Sequence, residues 1–391
     1  MGTMSVKRRN AGRQSARLSA GVLAAKASVM KSAPVPPPKL VRLVERARHY
    51  LLRVHQRTVP PYAAMMEMIM NAWTAQAITA AVDLGIADAL ADRPMPLAEL
   101  ASRVNADPDA LRRLLRALIG RGVFRQRRDG RYEVNPLAKT LRSSAPLSAA
   151  GLAMMVGSPQ HREHWSYLAD AIRTGEAVIP SVNGTDAFDF LSRDPELAEG
   201  FNRAMAETTE MTVAALMAAY SFDPYPTVAD VGGGIGQLLA TILAATPTAR
   251  GILYDLPHAV IDPQPLLRKH GIADRVRVVG GSFFDAVPAG ADIYVLKNVI
   301  HDWPDDKAVE ILQNVHAAAT IGTKILLIEF VIPTHKRDYI GHWTDLEMLL
   351  TQAGRDRTAA EYRALLERAG FRVTRVVPTA SPLTLVEAEA S

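Results

Sequence analysis

The sequence predicts an α/β protein: a doubly wound, Rossmann-like sheet of seven strands in the C-terminal half, behind a mainly helical N-terminal half. Three observations carry this expectation. Residues 228–257, VADVGGGIGQLLATILAATPTARGILYDLP, read as a strand, a glycine turn, a helix and a second strand closed by Asp255, the nucleotide half of an open α/β sheet. Strand-length apolar runs then recur as TVADV, GILYD, VRVVGG, ADIYVL, KILLIEF, RVTRVV and LTLVEAE. Helices are expected between the first five, and the last two, which alternate with period 2, make a hairpin at the sheet edge. Residues 40–218 carry helical spacing with one short hairpin signal.

Along the chain, residues 1–39 hold eight Lys or Arg and no acid, and run into the Pro-rich APVPPPK at 33–39. This predicts a disordered leader and a stiff joint, with a targeting peptide, a nucleic-acid arm and a badly chosen start codon as the alternatives. The net charge of +5 belongs to that leader, because the remainder has 37 basic against 40 acidic residues. The body is therefore expected to be a slightly acidic, soluble globular protein, located in the cytoplasm. There is no cysteine, which excludes disulfides, thiolate nucleophiles and sulfur-ligated metals. No apolar run reaches the roughly 18 residues of a membrane span, and no membrane partner is expected.

Residues 40–92 read as helices. The stretch from Ala63 to Leu90 is apolar nearly all round, with Met65, Met66, Met68, Ile69, Met70 and Trp73 crowded together. Such a helix needs cover on several sides, from a partner subunit or from another domain of the same chain. PLAELASRV at 96–104 is a short helix, DPDALRRLLRALIGRGVF a second with Pro108 at its start and Gly120 and Gly122 at its end, and FRQRRDGRYEV a hairpin turning at Asp129-Gly130. Helix, helix, hairpin is a winged helix. Its arginines (112, 113, 116, 121, 125, 127, 128 and 131) could meet DNA phosphates or form a solvated face. No second recognition element accompanies them, so no nucleic acid is expected. Residues 147–218 are again helical, with Trp165, Tyr167, Phe188, Phe190 and Phe201, and a loop SVNGTD at 181–186. The expected division is thus 1–39, 40–146, 147–218 and 219–391.

The glycine run is Gly232-Gly233-Gly234-Ile235-Gly236. A dinucleotide fingerprint wants its third glycine one place later, where Gln237 stands, and the loop has no Lys, Ser or Thr of a phosphate loop. It opens with Asp230, which a pyrophosphate would oppose and a cationic amine would pair with. S-adenosylmethionine fits this better than a dinucleotide, and a purely structural turn stays open. Asp255, 19 residues past Gly236, stands where a carboxylate can accept from two ribose hydroxyls.

KNVIHDWPDDKAVEIL, residues 297–312, follows strand ADIYVL directly. Lys297, His301 and Asp302 therefore stand at the carboxyl edge of the sheet, where active sites of this fold lie. At its ordinary pKa near 6.5, His301 would be largely neutral and able to take a proton from a phenol; otherwise it is a packed loop histidine. Glu329 closes strand KILLIEF and Asp356 lies in AGRDRT. Either could hold the imidazole's far nitrogen, or they are a strand end and a cap for the helix that follows. No tight Asp/Glu/His cluster is expected to hold a metal.

With these motifs in hand, the chain resembles the plant-type small-molecule O-methyltransferases and their bacterial relatives. VADVGGGIG, YDLP, LKNVIHDWPDDKAVEIL, LLIEFVIP, DLEMLL, GRDRT, FNRAM at 201–205 and the winged helix carry the resemblance, over about residues 60–388. It implies an S-adenosylmethionine-dependent methyl transfer to a hydroxyl of a small aromatic, quinone, quinolone or phenazine-like molecule, releasing S-adenosylhomocysteine without a metal. His301 would be the general base, flanked by Glu329 and Asp356. The family has Glu in the last motif, and the missing methylene predicts a longer contact from Asp356 to His301. Asp255 with Leu256 would bind ribose, Gly232 and Gly234 would face the methionine part beside Asp230, and Lys297 would lie near the adenosyl group. Ser282 replaces an acid that touches adenine, and Phe283 would pack on the ring. Phe201, Met205, Asp302, Trp303, Met348 and Gln352 would line the acceptor pocket, and a homodimer through the N-terminal helices would complete it. The rivals are N-methylation, a methyltransferase-like hydroxylase or decarboxylase, and a non-enzymatic winged-helix DNA-binding regulator.

Overall fold

The computed structural model describes residues 35–335 and 338–391. The basic leader lies outside them up to residue 34. Its expected end at residue 39 is corrected: a helix begins at Pro38 and runs to Arg57. Proline is tolerated there because a first-turn N–H has no intrahelical partner to lose.

The helix Pro38–Arg57 buries no residue, and the Met-rich helix Pro61–Asp83 buries only Ala81. Tyr62, Met65, Met66, Met68, Ile69 and Trp73 all stand more than half exposed. Among the described residues, no other domain of the same chain covers these side chains. Contiguous apolar surface of this extent marks an interaction face. Replacing Met68 and Ile69 together by Glu is expected to turn an assembled protein into monomer or aggregate, with turnover falling alongside. Light scattering that finds a fully active, native-sized protein would refute that.

The winged helix forms as read: Leu97–Arg103, Pro108–Gly120, then β1 (Arg125–Gln126) and β2 (Tyr132–Glu133) pairing antiparallel, with Met95 bridging to Tyr132. Asp107 caps the second helix by accepting from the Ala110 N–H at 2.8 Å. Leu100, Leu111, Leu115, Leu118, Phe124 and Tyr132 fill its core. The eight arginines are exposed, and Arg112, Arg125, Arg127 and Arg131 pair with acids of the same motif. Six helices span Ala150 to Ala219. The loop expected at 181–186 is partly helix: Val178–Asn183 is helical and the break comes at Gly184, φ +69°.

The large sheet contains β3 (Thr227–Val231), β4 (Arg250–Asp255), β5 (Val276–Gly280), β6 (Ile293–Lys297), β7 (Lys324–Glu329), β8 (Phe371–Pro378) and β9 (Thr384–Ala390) in the order β5-β4-β3-β6-β7-β9-β8. The first five run parallel, and β9 lies antiparallel between β7 and β8. The strand order reverses between β3 and β6, and a crevice at such a switch point receives ligands. Asp230, Asp255, Lys297 and Glu329 all end or nearly end their strands on that carboxyl edge.

Two details differ from expectation. No helix joins β5 to β6, although helices fill the other gaps among the first five strands. The chain instead turns through Gly281, Pro288 and Gly290 and packs Phe283 and Phe284 against the core, because glycine and proline disfavour a helix of that length. The period-2 pattern holds at the edge strand β8 only from Phe371 to Thr374, where the register to β9 shifts, whereas β9 is buried on both faces from Leu385 to Ala388. The buried Glu387 there accepts from the Tyr220 hydroxyl at 2.7 Å and pairs with Arg375, also at 2.7 Å.

Candidate active site

The glycine loop leaves β3 with no room for side chains at Gly232 and Gly233. Gly232 has φ +71°, and a Cβ there would stand 2.7 Å from Val299 Cγ2. Gly234, at φ +55°, turns its N–H onto Asp255 Oδ2 at 2.7 Å. The other Asp255 oxygen accepts from the Leu256 N–H at 2.7 Å. Burial raises the Asp255 pKa, opposed by those two N–H donors. Asp230 is fully buried and its Oδ2 has no hydrogen-bond partner. Burial pushes it up to about 7, against the Leu239 N–H. A Cβ on Gly233 would come 2.8 Å from that same Oδ2. An orphaned carboxylate beside a backbone cradle suits a ligand bearing a cationic amine, and a second carboxylate on β4 suits vicinal hydroxyls. These residues therefore fit S-adenosylmethionine.

Lys297 ends β6, and burial lowers it to about 8 against the pull of Glu329 and Asp230. Ser282 spends its hydroxyl locally, accepting from the Phe284 N–H at 3.2 Å. Phe283 and Phe284 meet the Trp303 ring edge-to-face, with centroids 6.1 and 4.7 Å away, and Phe188 stacks on Trp303 at 6.0 Å. Trp303 thus stands between Phe283 and the helical region, with its Nε1 buried and unpartnered.

His301 is carried by a single 3₁₀ turn, Ile300–Asp302. Its Nδ1 lies 2.9 Å from Asp356 Oδ1 and 3.8 Å from Glu329 Oε2, and its Nε2 lies 3.5 Å from Asp302 Oδ1. The expected lengthening of the Asp356 contact is corrected: the shorter acid makes the closer contact, because its loop lies directly on the turn. A Cβ on Gly354 would come 2.3 Å from the His301 carbonyl oxygen. Asp356 caps no helix. Thr358 does so, in a capping box with Glu361. Glu329 mainly holds backbone, its Oε1 accepting from the N–H groups of Val299 (3.2 Å) and Ile300 (2.9 Å), while its Oε2 has no hydrogen-bond partner.

The expectation of a largely neutral His301 is also corrected. Burial disfavours the imidazolium, but Glu329, Asp302 and Asp356 outweigh it and push the pKa up to about 9. Burial in turn raises Glu329 to about 7 and Asp302 to about 6, each held back by His301. Nor is a tight cluster lacking, since ligand-type atoms of His301, Glu329 and Asp356 lie within 4.8 Å of one another.

Met348 and Gln352 are half-buried on the helix Gly341–Gln352, and the Gln352 Nε2 is buried without a partner. Phe201 and Met205 are half-buried on the helix Pro195–Ala219; no hydrogen bond or ring contact ties their side chains to His301. Reading the sequence missed three residues around the base. The Thr344 hydroxyl donates to Asp356 Oδ2, the Asp345 carboxylate accepts from the Asp356 N–H at 2.9 Å, and Arg357 is buried beside them. Asp345 and Arg357 lie inside the motifs DLEMLL and AGRDRT and Thr344 directly before the first, which is the signal that could have pointed to them.

The chain matches the O-methyltransferase domain family over residues 165–372 and the O-methyltransferase dimerisation domain over 66–144. It is 40% identical over 330 residues to a phenazine O-methyltransferase of Lysobacter antibioticus, covering 84% of this chain and 96% of that protein. It is 33% identical to an 8-amino-8-demethylriboflavin N,N-dimethyltransferase of Streptomyces davaonensis, covering 79% and 89%. Among solved structures, an O-methyltransferase from neocarzinostatin biosynthesis, in complex with S-adenosylmethionine and 2-hydroxy-5-methyl naphthoic acid, superposes with a TM-score of 0.70 at 34% identity, covering 81% of this chain and 96% of that one.

Proposed function

The chain belongs to the O-methyltransferase family and is an S-adenosylmethionine-dependent methyltransferase, and from that premise we propose that it methylates a hydroxyl of a small, flat aromatic molecule with His301 as the base. The observation that carries this is His301 at the sheet's carboxyl edge, its Nδ1 held by Asp356 at 2.9 Å. An Nδ1–H donated to that carboxylate leaves the Nε2 lone pair for the acceptor's proton.

When bound, S-adenosylmethionine supplies an electrophilic sulfonium methyl and departs as S-adenosylhomocysteine. Asp230 with Gly232 and Gly234 would hold its amino-acid end, Asp255 and Leu256 the ribose, and Phe283 with Ser282 and Lys297 the adenine side. Trp303, Asp302, Met348 and Gln352, with Phe201 and Met205 from the long helix, would line the acceptor pocket. Residues 40–146 would serve as the dimerisation unit, pairing through the exposed Met-rich helix so that each copy completes the other's pocket, and 219–391 as the catalytic unit. The relatives named for phenazine and naphthoate substrates support a fused aromatic acceptor. Incubation with a panel of hydroxylated phenazines, naphthoates and simple phenols, with product mass and methylated position measured, tests this. Methyl found only on nitrogen, or nowhere, would defeat it.

Nitrogen is the second reading, favoured by the likeness to the riboflavin N,N-dimethyltransferase. An amine that needs no proton removed would leave His301 dispensable.

We read the reaction as metal-free. Magnesium prefers an all-oxygen octahedron with several waters, whereas His301 Nδ1 already pairs with Asp356 inside the cluster. Dialysis against a chelator is expected to leave turnover unchanged. Loss of turnover, restored by a single divalent cation, would reassign the three residues as ligands.

A further inference from the structure

The Arg357 side chain is 1% exposed, and a buried guanidinium needs partners for its five N–H groups. Its Nε and Nη2 donate to Asp305 Oδ1 at 3.0 and 2.8 Å. Nη1 donates to the carbonyls of Ile300 (3.0 Å) and Arg355 (3.1 Å), and Nη2 also donates to that of Trp303 (2.7 Å). Two of these carbonyls flank His301. The same turn is held from its other side by Glu329, on the N–H groups of Val299 and Ile300. The Ile300 residue is thus gripped at its N–H by one acid and at its C=O by one arginine. Arg357 also binds through its backbone, its carbonyl accepting from the Ile332 N–H at 2.9 Å, just past β7 and Glu329. One residue therefore joins the segments that carry His301, Asp356 and Glu329.

We propose that Arg357 is a positioning residue for methyl transfer: its guanidinium fixes the turn of His301 against the loop of Asp356 and so sets the contact that orients the base. A three-residue 3₁₀ turn has too few hydrogen bonds of its own to hold an imidazole to a fraction of an ångström. The inference rests on His301 being the base. The groups facing His301 are Asp302 on its own turn, Glu329 from β7 and Asp356 from the loop before the last helix. Lys297 on β6 acts on Glu329, and the buried Tyr362 lies near Glu329 and Asp356. Replacing Arg357 by a neutral residue removes a nearby positive charge, which by itself would favour the imidazolium and move the acidic limb to higher pH, so a movement to lower pH reports a loosened geometry.

The test uses Arg357→Met, Arg357→Lys and Arg357→Ala in the full-length chain, with turnover counted per folded molecule. Arg357→Met is expected to lose about 10²-fold in turnover, the size of effect that a misplacement of about 1 Å produces, while calorimetric cofactor affinity stays native. The acidic limb of its pH profile should move to lower pH, because a loosened Asp356 contact supports the imidazolium less. Lys restores charge without the planar fork and should remain slow. Guanidinium chloride at non-denaturing concentration should restore turnover to Arg357→Ala and not to His301→Ala. Where none of these variants folds, Asp305→Asn removes the one carboxylate that orients the guanidinium and should give a smaller loss with the same shift. Native turnover and a native acidic limb in Arg357→Met, or in Asp305→Asn where that variant must stand in, would overturn the inference. If His301→Ala is inactive at the same time, only the role of Arg357 fails. If His301→Ala is itself native, the base assignment fails instead.

Discussion

His301→Ala is expected to lower turnover by about 10²–10⁴-fold, the range general-base catalysis contributes, while cofactor affinity measured by calorimetry stays native. The imidazole pairs with Asp356, Glu329 and Asp302, all of them outside the cofactor loop. A base works in its neutral form, and the surrounding carboxyls push His301 up to about 9. The sign follows: turnover should rise with pH and level off near 9, where the imidazolium has lost its proton. A limb near the ordinary histidine value of about 6.5 would show that the carboxyls do not act as the geometry says.

The alanine variant should track ionisation of the acceptor instead, so two phenols of different acidity would shift its profile and leave the native limb in place. Glu329→Gln removes the first-ranked charge that favours the imidazolium and should move the limb to lower pH. Asp356→Asn should cost more at the plateau than Glu329→Gln, because its contact to Nδ1 is 2.9 Å against 3.8 Å. An alanine variant with native turnover and an unshifted profile would make His301 structural and favour a nitrogen acceptor.

Asp255→Ala is expected to weaken S-adenosylmethionine binding by about 10²–10⁴-fold. Two hydrogen bonds from ribose hydroxyls to a carboxylate are worth roughly 1.5–3 kcal/mol each, which converts to that range. The same change frees the Gly234 N–H from its 2.7 Å bond, so the glycine loop loses its tether to β4 as well. Acceptor binding should change far less, since Asp255 stands at the end of β4, two strands from the Lys297 end of β6. Calorimetry showing native cofactor affinity in a folded variant would remove Asp255 from the site.

Much of this architecture is written locally. The strands flanked by helices on both sides are buried on both faces, so they appear as unbroken apolar runs, and all seven were legible. The winged helix announces itself through Asp107-Pro108, the spacing of Leu111, Leu115 and Leu118, and Asp129-Gly130, each a short-range signal. His301, Glu329 and Asp356 were legible as candidates because each sits beside a strand end or a turn motif. Two features differ from the local reading. The link from β5 to β6 does carry a local signal, since Gly281, Pro288 and Gly290 disfavour a helix, whereas Thr344 meets Asp356 only because a helix folds back onto a loop.

Residue order alone thus determines the succession of strands and helices, the carboxyl edge as the place of chemistry and His301, Glu329 and Asp356 as its candidates, because periodicity, glycine turns and caps act over a few residues. Tertiary structure decides which acid touches the imidazole, that the surrounding carboxyls favour the imidazolium, that Arg357 holds the turn, and that the Met-rich helix is left uncovered among the described residues. These depend on distances between segments up to 57 residues apart and on burial, which sets the cost of a charge, and neither quantity is carried by neighbouring residues in the chain.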